Sequence, residues 1–266
     1  MNAPHQLSPA GKLITAFTLT VVGGFVDAVG YIALYQIFTA NMSGNSIHLG
    51  MGAADLNISQ FARPACAIAS YVGALILGRI ALQIAARAEW RRIASFTLGA
   101  EALLLLIFSH ARLAMHGGQV VDMSSPAYFA MIAGLACAMG IQTATLTHLG
   151  ALTIYTTFVT GTLTKFSESF TRALFWGYDE LRAGNSLSHI VGKAPGQVDS
   201  RDSVFLLLVW ICYVVGAALG AITKRVWELK ALYFPVGVLV ILILIDVLRP
   251  ISGDEEQRQR AGPRKG

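Results

Sequence analysis

Charge is what this chain most lacks. Asp, Glu, Lys and Arg make up 13% of its 266 residues, about half of the ~25% found in an ordinary soluble domain. Hydrophobic residues make up 55% and the mean hydropathy is +0.58, a balance that excludes a soluble globule and implies an integral membrane protein. Cysteine is scarce too. Cys66, Cys137 and Cys212 sit in apolar runs without the paired spacing that a zinc site or a disulfide frame needs, so no metal is expected. The sequence also lacks a P-loop, a nucleophile elbow, a zinc-ligand helix and a dinucleotide fingerprint. That excludes an ATP-driven pump encoded by this chain alone, leaves an intramembrane enzyme without a nucleophile and base in reach, and predicts no cofactor. The formal charge of +5 comes from basic residues beside apolar runs and in the tail, so membrane lipid rather than nucleic acid is the expected partner.

What is present is length enough for about six crossings of roughly 20 residues each. Hydropathy predicts spans over about residues 13–36, 64–86, 93–115, 127–149, 203–223 and 231–249. The opening MNAPHQLSPAGK passes straight into the first apolar run, so no removable signal segment is expected before it. Lys12, Arg87, Arg91 and Arg92 place both termini on the cytoplasmic side by the positive-inside rule. Lys224, Arg225 and Lys230 dissent, a conflict that a seventh crossing at 154–176 would remove, but Lys165, Glu168 and Arg172 make that crossing costly. The expected organisation is a cytoplasmic N-terminus at 1–12, one three-helix unit at 13–126, a second at 127–249, and a cytoplasmic tail at 250–266 without folded structure. The second unit contains a cytoplasmic linker at 177–202.

Two polar knots interrupt this apolar background. The first, FTANMSGN at 38–45, gathers Thr39, Asn41, Ser43, Gly44 and Asn45 without one charge, with Asn45 or Ser43 expected to cap a short helix over SIHLGMG. The second is TTFVTGTLT at 156–164. Placing Val159, Thr160, Gly161 and Thr162 against Met42, Ser43, Gly44 and Asn45 brings Gln142 within two residues of the place of Asp27. Three spans per unit make the copies inverted, a plan in which paired broken helices meet near the membrane midplane. Thr39, Asn41, Ser43, Gly44, Asn45, Gln142, Thr160, Gly161 and Thr162 are therefore the candidate substrate-binding residues. Asp27 and Glu101 lie midway along apolar spans, where a charge needs a partner, water or a proton, and are the candidate ion-coupling groups. Arg79 is placed to neutralise Glu101 or to snorkel to headgroups. Asp246 with Arg249 reads as an interfacial ion pair. Gly216 and Gly220 form a GxxxG stripe, expected to serve helix packing within the chain and the first choice for a homo-oligomer contact.

The run GGFVDAVGYIALYQIFTANMSGN at 23–45, together with FVTGTLT, resembles the YoaK-like family of bacterial inner-membrane proteins, whose domain has no assigned function. The resemblance extends from about Thr15 to Leu248. It implies six or so helices in a bacterial plasma membrane and says little about chemistry. Read together, the residues lead to a secondary transporter of a small, unidentified solute. A noncatalytic membrane sensor or partner-binding module, using the small-residue stripes and residues 165–202, is the alternative.

Overall fold

The computed structural model describes residues 7–88, 90, 92–114, 122–148 and 159–251, and every described element is helical. Helix α1, Pro9–Ala33, opens with Ser8 accepting from the Gly11 amide and proline at the first position, where its missing N–H is harmless. It ends without glycine: Tyr35 and Gln36 both adopt the left-handed conformation, with φ of 49° and 71°. Two such residues in succession turn the chain back on itself. Helix α2, Met42–Ala54, follows, then α3, Ile58–Arg87, capped by Asn57. Helices α4, Ile93–Ala114, and α5, Pro126–His148, complete the first half of the core. Next come α6, Val159–Arg182, α7, Leu187–Lys193, and α8, Val198–Trp227. A 3₁₀ segment, Glu228–Leu232, leads into α9, Tyr233–Leu248.

Helices α1, α3, α4 and α5 each contain an apolar run long enough to cross a bilayer, and a fifth run spans Val198–Leu248. At 1.5 Å per residue those 51 residues would reach about 76 Å, far beyond a ~30 Å hydrocarbon core, and the 3₁₀ segment divides them into two crossings, α8 and α9. The packing fixes the direction of the crossings. Helix α1 packs on α8 and α3 on α5. Gly216 lies on the Val21 carbonyl and Gly220 on that of Phe25, so α1 and α8 are parallel. Cys66 reaches the Phe129 carbonyl, Tyr71 meets Gly140 and Gly78 meets Ala144, so α3 and α5 are parallel as well. Helix α2 is about 20 Å long and too short to cross, so α1 and α3 run oppositely. It follows that α5 and α8 run oppositely, which among the described helices leaves six spans and no separate crossing by α6.

The buried centre is apolar and shared by most of these helices: Leu19, Phe25 and Val26 of α1 meet Leu98 and Leu105 of α4, Leu135 and Met139 of α5, and Leu239 of α9 in one cluster. Small residues bring the backbones together. A Cβ on Gly24 would overlap the Tyr213 carbonyl, and one on Gly216 the Val21 carbonyl. Gly216 and Gly220 thus face α1 inside the chain, which corrects their reading as a homo-oligomer contact: the stripe is already covered.

The stretch 177–202, expected as a linker, is largely helical: α6 continues to Arg182, and Ser186 and Gln197 cap the next two helices. Two further expectations change. The helix over SIHLGMG begins at Met42, capped by Asn41 rather than by Ser43 or Asn45. Asp246 is fully buried and does not pair with Arg249. It accepts from the Ser95 amide and hydroxyl, at 2.9 and 2.5 Å, and from the Ile251 amide at 2.8 Å, tying α9 to α4 and to the chain beyond it. Residues 1–6 and 252–266 of the termini lie outside the described residues.

Candidate functional site

The first knot is a break that dips into the bundle. After the left-handed turn at Tyr35 and Gln36, the chain descends until the Thr39 and Ala40 amides each donate to Asp27 Oδ1 at 2.8 Å, and the Thr39 hydroxyl donates to the same oxygen at 3.1 Å. Asp27 lies six residues before the end of α1, so the break returns about 9 Å along the helix axis. Gly30 makes room, since a Cβ there would overlap Thr39 Cγ2. The other carboxylate oxygen, Oδ2, accepts from the Tyr213 hydroxyl at 2.6 Å. Asp27 is 3% exposed, and four donors from the break and α8 surround its negative charge. Charge-assisted bonds of this kind are roughly twice as strong as neutral ones.

The other polar residues of the knot are arranged around this latch. The fully buried Asn45 donates to the Phe38 carbonyl at 2.8 Å and accepts from the Phe38 amide at 3.0 Å, replacing both backbone partners that Phe38 lost when helix α1 ended. Asn41 Oδ1 accepts from the Gly44 amide at 3.2 Å and from the Ser43 hydroxyl at 2.7 Å, capping α2. Gly44 lies under the Phe38 ring, where a Cβ would come within 2.6 Å of Cε2. Helix α5 supports the turn from the side, with the Tyr128 hydroxyl on the Leu34 carbonyl at 2.7 Å. Ser43 is exposed and Asn41 half-buried, so these two form the outer lip of the break.

The second knot is placed elsewhere. Thr160 and Gly161 are exposed near the start of α6, while Thr162 and Ser169 are buried on the face of α6 that packs on α8. Among the described helices α6 touches α8 and α7, and α2 touches α3. Thr160, Gly161 and Thr162 are thus not brought against Asn41 or Asn45, and residues 156–158 of the knot lie outside the described residues. Arg172 of α6 bonds Asp199 at the start of α8 at 2.7 Å and Glu168 at 2.5 Å.

Two predicted residues are buried in the interior. Gln142 of α5, with no exposed surface, donates to the Leu19 carbonyl of α1 at 3.2 Å. Glu101 of α4 is equally buried. Arg79 is exposed and forms no ion pair with it, in keeping with a snorkelling side chain.

Residues 15–245 match a family described as a protein of unknown function (DUF1275). The chain belongs to this family. A relative, the UPF0700 transmembrane protein YoaK of Bacillus subtilis (strain 168), is 27% identical over 238 residues, covering 89% of this chain and 94% of that protein. No solved structure matches. As a DUF1275 member with a transmembrane relative and, among the described residues, five apolar helical runs long enough to cross a membrane, the protein is a multi-pass membrane protein.

Tyr213 is the residue of this DUF1275 protein that sequence reasoning missed. Tyr31, four residues after Asp27 on α1, packs its ring against Phe38 with centroids 4.5 Å apart, and the hydroxyl on Asp27 comes instead from α8. Within ICYVVGAALG only the glycine spacing marks a closely packed face, and which helix fills that face is decided by tertiary contacts. Tyr213→Phe is expected to cost about 2 kcal/mol, the worth of a buried hydrogen bond to a charged group. Thermal unfolding of the purified variant should show a lowered midpoint without loss of membrane insertion.

Proposed function

We propose that this protein is a secondary transporter of a small solute, with the break at 38–45 forming one wall of its binding site. The observation that carries this reading is non-helical polar backbone held inside an apolar bundle at the level of Asp27. Irregular backbone is tolerated at such depth only where protein or a water-filled cavity satisfies it, and transporters place ligand sites at discontinuities of this kind. Asn41, Ser43 and the start of α2 offer hydrogen-bonding groups to a solute from the outer lip. Asp27 is then the latch, and its coupling role is to loosen the break when a proton or cation competes with the Thr39 and Ala40 amides.

An inverted repeat is supported by a detail of packing. Gly24 lies on the carbonyl of Tyr213 while Asp27, three residues on, accepts from its hydroxyl. Gly140 lies on the carbonyl of Tyr71 while Thr143, three residues on, accepts from its hydroxyl at 2.9 Å. The two sets have the same residue spacing and the same parallel helix direction, so Thr143, one residue from Gln142, corresponds to Asp27. A bacterial inner membrane and cytoplasmic termini complete the proposal, on the strength of the basic residues around the first two spans.

The alternative reading, a noncatalytic sensor or partner-binding module, is favoured by one observation: Thr39, Asn41, Ser43 and Asn45 already bond within the chain. Thermal unfolding in detergent across a panel of metabolites and ions separates the two, because a ligand that binds the folded state raises the midpoint. Transport predicts a shift for one solute class in the wild type and its loss in Asn41→Ala. That variant should itself be about 1 kcal/mol less stable through loss of the cap. A flat panel for both proteins favours the module.

A further inference from the structure

Among the described residues, three buried side-chain oxygen or nitrogen atoms have no hydrogen-bond partner: Glu101 Oε1, Glu101 Oε2 and Gln142 Oε1. All three are acceptors. Gln142 Nε2 is already engaged with Leu19, so the interior contains acceptors and is short of a donor. The two residues lie on helices that pack directly, α4 and α5. Thr97, Ala100 and Leu104 of α4 and Cys137 and Ile141 of α5 line a single cavity of about 530 Å³. Glu101 follows Ala100, and Gln142 follows Ile141, on these two facing helices, and both side chains are buried beside the cavity rather than lining it.

We propose that Glu101 carries a proton in the resting protein, shares it with Gln142 Oε1, and acts together with the Asp27 latch to couple transport to the proton gradient. This rests on the transporter reading and names its coupling ion. An ionised carboxylate with neither partner nor water costs several kcal/mol in such a place. Binding one proton removes the charge and converts one of the unmatched acceptors into a donor, so the O–H of Glu101 and the carbonyl oxygen of Gln142 satisfy one another. A metal ion is a poorer fit, because it would need more oxygens than these three. The hydroxyl of Thr97 is turned to the Ile93 and Ala94 carbonyls of its own helix, that of Ser70 lies 4.0 Å from the Cys66 sulfur, and the rest of the cavity wall is apolar apart from the Cys137 thiol. When the proton leaves, the carboxylate requires water or a new donor, so deprotonation must be accompanied by a rearrangement around α4.

The other titratable groups on elements packed against α4 have their own partners or lie at the surface. On α9, Asp246 is held by Ser95 and Ile251, and Tyr233 by His110 at 2.8 Å. On α5, Tyr128 bonds Leu34, and the Cys137 thiol donates to the Ser70 carbonyl at 3.5 Å. On α3, Tyr71 bonds Thr143 and the Cys66 thiol reaches the Phe129 carbonyl, while Arg79 is exposed. Glu228 and Lys230 of the 3₁₀ segment are exposed too. No cation among them neutralises Glu101.

Infrared difference spectroscopy of the full chain in proteoliposomes, titrated with acid and base, tests the proposal without any known solute. The expected result is a protonated-carboxyl stretch at neutral pH that disappears in Glu101→Gln and moves to higher frequency in Gln142→Leu, with no response to sodium or potassium. Absence of that band in the wild type, or its loss on adding sodium at fixed pH, overturns the proposal. Glu101→Gln keeps the shape of the neutral acid and should fold; if it does not insert, the Gln142→Leu shift alone decides. A band that behaves as expected in a protein whose solute flux moves no protons also overturns the coupling role. A protein with the band and no flux for any solute sinks the transporter reading instead.

Discussion

Gly216→Leu is expected to destabilise the protein by about 3 kcal/mol or more, the upper range for overpacking a closed interface. The added carbon would overlap the Val21 carbonyl, which is backbone and cannot rotate away, so α1 and α8 must separate. That movement also draws Tyr213 from Asp27, since Gly24 lies on the Tyr213 carbonyl in the same interface. A suitable control is Gly237→Leu on α9, where a Cβ meets nothing within 4 Å. Thermal unfolding in detergent should show a large fall for the first variant and little change for the second. Equal effects would mean that the α1–α8 interface is not closely packed.

Asp27→Ala is expected to cost about 4 kcal/mol, because it strips the partner from the Thr39 and Ala40 amides and the Tyr213 hydroxyl at once, and unmade buried bonds cost about 1–3 kcal/mol each before relaxation. The effect should be local as well as global. Hydrogen exchange of the peptide containing Thr39 and Ala40 should accelerate strongly in the variant, while exchange in α5 remains slow. Asp27→Asn keeps an acceptor for the break and presents an amide to Tyr213, so its loss should be smaller. If the alanine variant leaves exchange at 38–41 unchanged, Asp27 is not the latch.

Much of this was legible in the sequence because hydrocarbon imposes a simple rule. Spans expected at about 93–115 and 127–149 fall within a residue or two of Ile93–Ala114 and Pro126–His148. Helix ends were harder to read, since they depend on caps and turns rather than on apolarity. Helix α3 starts six residues before Pro64, because Asn57 caps it and the proline is carried inside the helix. Helix α1 stops at Ala33 because Tyr35 and Gln36 turn left-handed, a conformation their residue types do not advertise. The sequence marked Asp27 as needing a partner, yet that partner lies on a helix 186 residues away. Asp246 looked interfacial from its proximity to Arg249, whereas the chain folds back over it and buries it beside Ser95. Thr160 and Gly161, paired with Ser43 and Gly44 by order along the chain, occupy the flank of α8 instead. Similar order along two halves does not by itself bring matching residues together.

The most direct test of the central claim is solute-evoked flux in proteoliposomes containing wild-type protein and Asn41→Ala, with insertion and folding of both verified, across the solute classes that shift thermal unfolding. The account predicts flux of one class in the wild type and its loss or steep reduction in Asn41→Ala. Wild-type protein that is folded and inserted yet moves none of the solutes it binds would contradict it.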